Sequence, residues 1–156
     1  MKFICPILLS FFFLISCNDE DPPLEITPST PPIVYLQALY KLNGSDSIYE
    51  DSYSKVYVYY GKADAQFAFY SFGENGRLTR RGITNSLQHP EMYLPDTIIT
   101  TDIHGECLFT PSHLDEYITM ILESRRLKGH YGTIAFGDSR SNHCNSYVFD
   151  EKNIIF

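Results

Sequence analysis

Thr110-Pro111-Ser112-His113-Leu114-Asp115-Glu116-Tyr117-Ile118-Thr119-Met120-Ile121-Leu122-Glu123-Ser124-Arg125-Arg126 is the stretch that decides the fold class of this chain. Two assignments compete for it. Thr110 is an N-cap candidate, Pro111 suits a first helical position, and acids follow in the first turn. Leu114, Tyr117, Ile118, Ile121 and Leu122 recur at helical spacing, and Arg125, Arg126, Lys128 and Gly129 suit a helix end. Against this, Tyr117–Leu122 (YITMIL) is rich in β-branched residues, and Ile118, Met120 and Leu122 alternate. The alternation is taken here as a strand, with one short helix over 112–126 as the competing assignment.

Working outward, the flanking sequence favours the strand. Ile33–Lys41 (IVYLQALYK) reads as a strand and Asn43-Gly44-Ser45-Asp46 as a turn. Tyr53–Tyr60 (YSKVYVYY) is a second strand, with Val56, Val58 and Tyr60 on one face and Tyr57 and Tyr59 on the other. Gln66–Phe72 (QFAFYSF) is apolar on both faces, as a strand covered on both sides would be. Gly73-Glu74-Asn75-Gly76 carries an Asn-Gly hairpin signal, which makes Arg77–Ile83 the returning strand. Thr84–Pro95 reads as a longer loop. Thr97–Thr101, Glu106–Thr110, Thr133–Phe136, Ser146–Phe149 and Asn153–Phe156 read as further short strands, with a turn at Asp102–Gly105. Twelve tyrosines and eleven phenylalanines against no tryptophan also suit a sheet protein. The expected fold is mainly β: a small antiparallel β-sandwich over residues 33–156.

The N-terminal stretch is of another kind. After Met1-Lys2, Phe3–Ile15 is apolar, contains Pro6, and is too short to cross a bilayer, which takes ~20 apolar residues. Leu14-Ile15-Ser16-Cys17 closes it. This resembles a bacterial lipoprotein signal peptide ending in a lipobox. The resemblance implies a signal peptide over 1–16, cleavage before Cys17, and lipidation of Cys17 as the membrane anchor. Asn18-Asp19-Glu20-Asp21 resembles the acidic tag that sends some Gram-negative lipoproteins to the cell surface, which places the chain at the outer membrane; the periplasmic leaflet is the alternative. Residues 17–32 hold five prolines between Pro22 and Pro32 and read as an extended tether.

Charge narrows the partners. The formal net charge is −7, which argues against nucleic acid as a partner. The short basic clusters Arg77, Arg80, Arg81 and Arg125, Arg126, Lys128 read as solvated strand edges or turns.

Few residues suggest chemistry. With Cys5 removed and Cys17 lipidated, Cys107 and Cys144 remain in an oxidising compartment, and a disulfide between them is the preferred assignment; two buried free thiols are the other. Closing that loop of about 37 residues would stabilise the fold by roughly 3–4 kcal/mol. His104, Cys107, His143 and Cys144 lack the close spacing of structural zinc ligands, so no metal and no cofactor is expected. His104-Gly105-Glu106 is similar to half of a zinc-deaminase motif without the other half, and Gly137-Asp138-Ser139 is similar to an esterase nucleophile block without its downstream partner. Both read as turns, and no catalytic residue is named. Asp46-Ser47-Ile48 and Asp96-Thr97-Ile98 resemble a bacterial O-glycosylation acceptor, which makes Ser47 and Thr97 candidate modification sites. Exposed Tyr57 and Tyr59 are the candidate ligand-binding residues, as a platform for a glycan.

Thr101-Asp102-Ile103-His104-Gly105-Glu106-Cys107-Leu108-Phe109 followed by Tyr117–Ser124 resembles a hairpin of transthyretin-like, carboxypeptidase-regulatory-type sandwiches, in which the Asp and Gly shape a turn between two strands. That resemblance implies a non-catalytic accessory module. The expected function is a lipid-anchored envelope lipoprotein acting as a structural or protein-interaction module, with an envelope protein as partner; a glycan-binding surface lipoprotein is the alternative.

Overall fold

Two strands, β3 (Lys55–Tyr60) and β9 (Ile118–Glu123), are buried along nearly their whole length, and the architecture follows from them. Both faces of each are apolar, so both faces need a covering layer. The computed structural model describes residues 30–81, 92–114, 116–137 and 140–151. The remaining elements are β1 (Val34–Lys41), β2 (Ile48–Glu50), α1 (Asp64–Phe67), β4 (Tyr70–Phe72), β5 (Leu78–Arg80), β6 (Met92–Tyr93), β7 (Thr97–Thr100), β8 (Glu106–Phe109), β10 (Tyr131–Phe136) and β11 (His143–Asp150).

The central sheet has the order β10-β9-β3-β7 and is antiparallel throughout. On one side lies a sheet of order β11-β1-β2, with β8 pairing the first half of β1 and β2 its last residues. Val34, Leu36 and Ala38 of β1 meet Val56, Val58 and Tyr60 of β3 and Ile118, Met120 and Leu122 of β9 across this interface. Each fully buried aliphatic side chain there contributes about 1.5–3 kcal/mol by leaving water. On the other side, a small sheet of order β4-β5-β6 and α1 cover Tyr57, Tyr59 and Ile121 with Phe67, Tyr70 and Leu78. The fold is therefore mainly β, a small β-sandwich with a third, aromatic layer outside it.

The stretch 110–126 resolves as the strand. Ile118, Met120 and Leu122 enter the aliphatic core while Thr119 and Ile121 face the aromatic layer, so a β-branched residue on either face finds a packed surface. Pro111 and its neighbours form the loop that leads into β9 rather than a helix start.

Three other expectations change. Gln66–Phe72 is not one strand: α1 ends at Phe67 and β4 begins at Tyr70. Its apolar residues on both faces reflect a turn of helix laying Phe67 on Tyr59, not a doubly covered strand. The strands flanking Asp102–Gly105 do not form a hairpin; β7 pairs with β3 and β8 with β1, so the turn carries the chain from one sheet to the other. Asp102 Oδ1 still shapes it, accepting the N–H groups of His104 at 2.8 Å and Glu106 at 2.9 Å, which holds its carboxyl below the usual range. Gly105 sits at φ +72°, and a Cβ there would lie 2.4 Å from the Ala38 carbonyl oxygen.

The Cys107–Cys144 disulfide is the third. Both cysteines are free thiols. Cys107 lies opposite Leu36 and Cys144 opposite Tyr35, on the strands that flank β1 on its two sides. Neighbours 35 and 36 point to opposite faces, so the two sulfurs do as well. Two inter-strand spacings, about 10 Å, separate their backbones, beyond the ~7 Å that a disulfide spans. Burial pushes the Cys107 thiol up to about 11, while Cys144 is exposed.

The Asn75-Gly76 turn between β4 and β5 forms as expected, with φ of 56° and 75°, the pair of positive values such a hairpin requires. Pairing of β1 with β11 is parallel, which the antiparallel expectation did not include. Residues 1–29, Asp138-Ser139 and Asn153–Phe156 lie outside the described residues, and with them the signal peptide, Cys17, most of the tether, the Gly-Asp-Ser turn and the last expected strand.

Candidate functional site: a two-part groove on the outer face of the central sheet

Tyr57 and Tyr59 do not form an exposed platform. Their relative exposures are 1% and 0%. They occupy the aromatic layer, Tyr57 edge-on to Phe72 and Tyr59 edge-on to Phe67. The Tyr59 hydroxyl donates to the Gly76 carbonyl, and the Tyr57 hydroxyl donates to Glu123 Oε2 at 2.5 Å. Burial raises both phenols well above the usual tyrosine range, with the Glu123 bond adding to the effect on Tyr57. A strand pattern of alternating tyrosines is met by a third layer that the alternation alone does not announce.

The parity of Tyr57 and Tyr59 continues outward to Lys55 at the start of β3, and Tyr53 lies in the turn that precedes it. There the surface opens. A cavity of about 530 Å³ is lined by Tyr53, Lys55, Glu123, Ser124, Arg125 and Lys128, with Gly129 at its rim. A second cavity of about 290 Å³ is lined by Lys55, Tyr57, Glu74, Asn75, Glu123 and Tyr131, with Gly73 behind Glu74. Lys55 and Glu123 belong to both, so the two form one groove between the β9–β10 turn and the tip of the β4–β5 hairpin.

Charge is divided along this groove. Lys55 and Glu123 face each other in the β3–β9 register. Glu123 is nonetheless engaged by the Tyr57 hydroxyl, and among the described residues Lys55, Arg125 and Lys128 have no carboxylate within ion-pair distance. The Arg125 guanidinium lies 5.2 Å from the centroid of the Tyr53 ring. Tyr53 adopts φ 62°, an uncommon conformation for a bulky residue, and its N–H donates to the Asp102 carbonyl at 3.1 Å. One end of the groove is thus basic with an aromatic wall. The other presents Glu74, the Asn75 amide and two phenols.

A buried polar knot fixes the basic end. Asp51 is fully buried; its carboxylate accepts the Ser124 hydroxyl and the Arg126 N–H at 3.2 Å. Ser124 Oγ in turn accepts the Leu127 N–H at 2.9 Å, so one carboxylate shapes the turn carrying Arg125 and Lys128. Thr101 Oγ1 donates to the Asp51 carbonyl at 3.3 Å and accepts the Ser54 N–H at 2.9 Å, tying in the segment that carries Tyr53.

Other sequence candidates are scattered. Ser47 and Thr97 are both exposed, Ser47 in the loop before β2 and Thr97 opening β7 at the margin of the central sheet. His104 Nδ1 lies 3.4 Å from Glu50 Oε2 at an exposed position, and neither residue lines the groove. Ser112 Oγ lies 3.1 Å from His113 Nδ1, also exposed and away from the groove. His104, Cys107, His143 and Cys144 are not gathered, since Cys107 and Cys144 point to opposite faces. Of the groove residues, the sequence sets Arg125 and Lys128 in a basic cluster and Tyr53 and Lys55 in an expected strand, with no signal that brings them together. The missing signal was the β3–β9 register, which sets Lys55 beside Glu123.

No family model, no curated protein and no solved structure matches this chain.

Proposed function

We propose that this chain is a lipid-anchored envelope lipoprotein acting as a non-catalytic binding module, held from the membrane by its proline-rich tether and capturing its ligand in the groove. The observation that carries the binding role is the set of three cations without ion pairs beside an exposed tyrosine, built on the most deeply buried strands of an acidic protein. Unpaired charge held in a concave, rigidly backed site is poised for an external counter-charge. The anchor rests on Leu14-Ile15-Ser16-Cys17 at the end of a short apolar run.

The protein-partner form of this reading favours a different surface. Strand addition needs a free ladder edge. Among the described residues, β11 is paired on one side only, and its Ser146 N–H is already taken by the Asn145 side chain at 2.9 Å. Side-chain capping of that kind blunts this one edge; among the described residues β7 and β10 are likewise paired on one side only, so strand addition at the central sheet is the alternative route to a protein partner.

Three measurements test the anchor. Mass spectrometry of the protein purified from envelope membranes is expected to show a chain starting at an acylated Cys17, and Cys17→Ser is expected to shift it to the soluble fraction. A soluble full-length chain that still carries residues 1–16 would overturn the anchor. Surface protease digestion of intact cells then separates the outer face from the periplasmic leaflet.

A further inference from the structure

Resting on the binding role above, we propose that the ligand of the groove is an acidic saccharide bearing one carboxylate near the end of a short, hydroxyl-rich chain. The basic end selects the carboxylate. The Arg125 guanidinium lies over the Tyr53 ring, 5.2 Å from its centroid, and none of its N–H groups is engaged by a described residue, so its planar fork is available for bidentate contact with an oxyanion. Lys128 and Lys55 stand on the same cavity wall as further donors.

The second cavity selects the rest of the ligand. Glu74, Glu123 and the Asn75 amide oxygen are acceptors, and acceptors suit hydroxyl donors. They also exclude a polyanion. A chain with a charge on every unit would set its next anion against Glu74, the carboxylate that lines the second cavity alone while Lys55 and Glu123 line both, a like-charge contact that disfavours nucleic acid and densely sulfated glycans alike. An anion at one end and hydroxyls at the other match the division of charge. Volumes of about 530 and 290 Å³ suit a ligand of a few sugar rings.

The test is titration calorimetry on the full mature chain, residues 17–156, in detergent. Its probes are a disaccharide with one terminal glucuronate, the same disaccharide with that carboxyl reduced to the alcohol, and sodium sulfate. The glucuronate form is expected to bind saturably and at least tenfold more tightly than the reduced form. Arg125→Ala and Lys128→Ala are expected to remove that preference; both residues are exposed, and an unchanged melting temperature checks that the variants fold. Glu74→Gln is expected to weaken both disaccharides while leaving the preference between them intact.

Equal binding of the two disaccharides overturns the proposal. So does displacement of the glucuronate form by sulfate at equal concentration, which would mark the basic end as a site for an adventitious ion only. Tighter binding of a single-stranded oligonucleotide overturns it in favour of a polyanion site. If the glucuronate probe fails but a neutral glycan from an array binds, and the Arg125→Ala, Lys128→Ala double variant loses it, the ligand class falls while the binding role stands. Silence across the whole array removes both.

Discussion

The two faces of the central sheet solve the same burial problem with different materials. Toward β1, the interface is mostly aliphatic: Val56, Val58, Met120 and Leu122 meet Val34, Leu36 and Ala38, with Tyr60 and Phe149 as its buried rings. Toward β4 and β5 it is aromatic: Tyr57, Tyr59, Phe67, Tyr70 and Leu78. The aliphatic face has few polar atoms to satisfy and can close completely. The aromatic face must place phenol groups, and each needs a partner or a route to water. Tyr59 finds the Gly76 carbonyl inside the layer, whereas Tyr57 finds Glu123 at its margin. The layer that has to satisfy hydroxyls therefore ends in polar residues, and the groove opens at that end. The groove is a by-product of how an aromatic layer terminates.

The largest expected effect tests the aliphatic face. Leu122→Ala removes a fully buried side chain between the two sheets and is expected to cost about 2–5 kcal/mol in urea unfolding. A cost below about 1 kcal/mol would mean that this interface is not the main core.

Next comes a contrast within the aromatic face. Tyr59→Phe leaves the buried Gly76 carbonyl without its donor and is expected to cost about 1–3 kcal/mol. Tyr57→Phe, whose partner Glu123 sits in the groove where water reaches it, is expected to cost about 0.5–1.5 kcal/mol. Equal costs would erase the distinction between the interior and the margin of the layer.

Alkaline pH separates the faces as well. Burial raises the phenols of Tyr57 and Tyr59 above their unfolded value and that of Tyr70 to about 12. A raised folded pKa favours the neutral form in the native state. That stability is fully present below about pH 10, the unfolded value, and is lost as pH rises past it toward the folded values. Tyrosinate absorbance at high pH is expected to rise in two steps, exposed rings first and the aromatic layer only with loss of near-ultraviolet circular dichroism. A single step near pH 10 with structure retained would show the layer to be open to hydroxide.

The smallest effect is expected at Ser54. Its side chain is fully buried, and its Oγ has no hydrogen-bond partner among the described residues. Ser54→Ala removes an uncompensated hydroxyl and is expected to leave stability unchanged or raise it by up to about 1 kcal/mol, read as a small upward shift in melting temperature. Destabilisation would reveal a partner for this hydroxyl, such as a buried water.

Legibility in the sequence followed the range of the interactions. Alternation in Tyr53–Tyr60 assigned Val56, Val58 and Tyr60 to one face and Tyr57 and Tyr59 to the other, because the period of a strand is local. Asn75-Gly76 announced its hairpin because positive φ at two successive residues is a local demand. Layer number was not legible. Whether Tyr59 faces solvent or Phe67 depends on α1, which sequence reading took for part of a strand. The thiols failed for a related reason: spacing along the chain carries no information on which side of β1 each partner strand lies. The groove needed both kinds of knowledge, the β3–β9 register and the place where the aromatic layer ends.

The pairing of β1 with β11 has a consequence for timing. Ile33 and Asn142, 109 positions apart, are joined by a 2.8 Å hydrogen bond, and the parallel ladder starts beside them. Until residues near 150 have been synthesised, the opening strand has one flank bare. Contacts this distant in sequence form late and slowly. Completion of the sheet that holds β1 therefore waits on β11. A chain truncated before His143 would leave that edge of β1 uncovered, ready to associate with its neighbours.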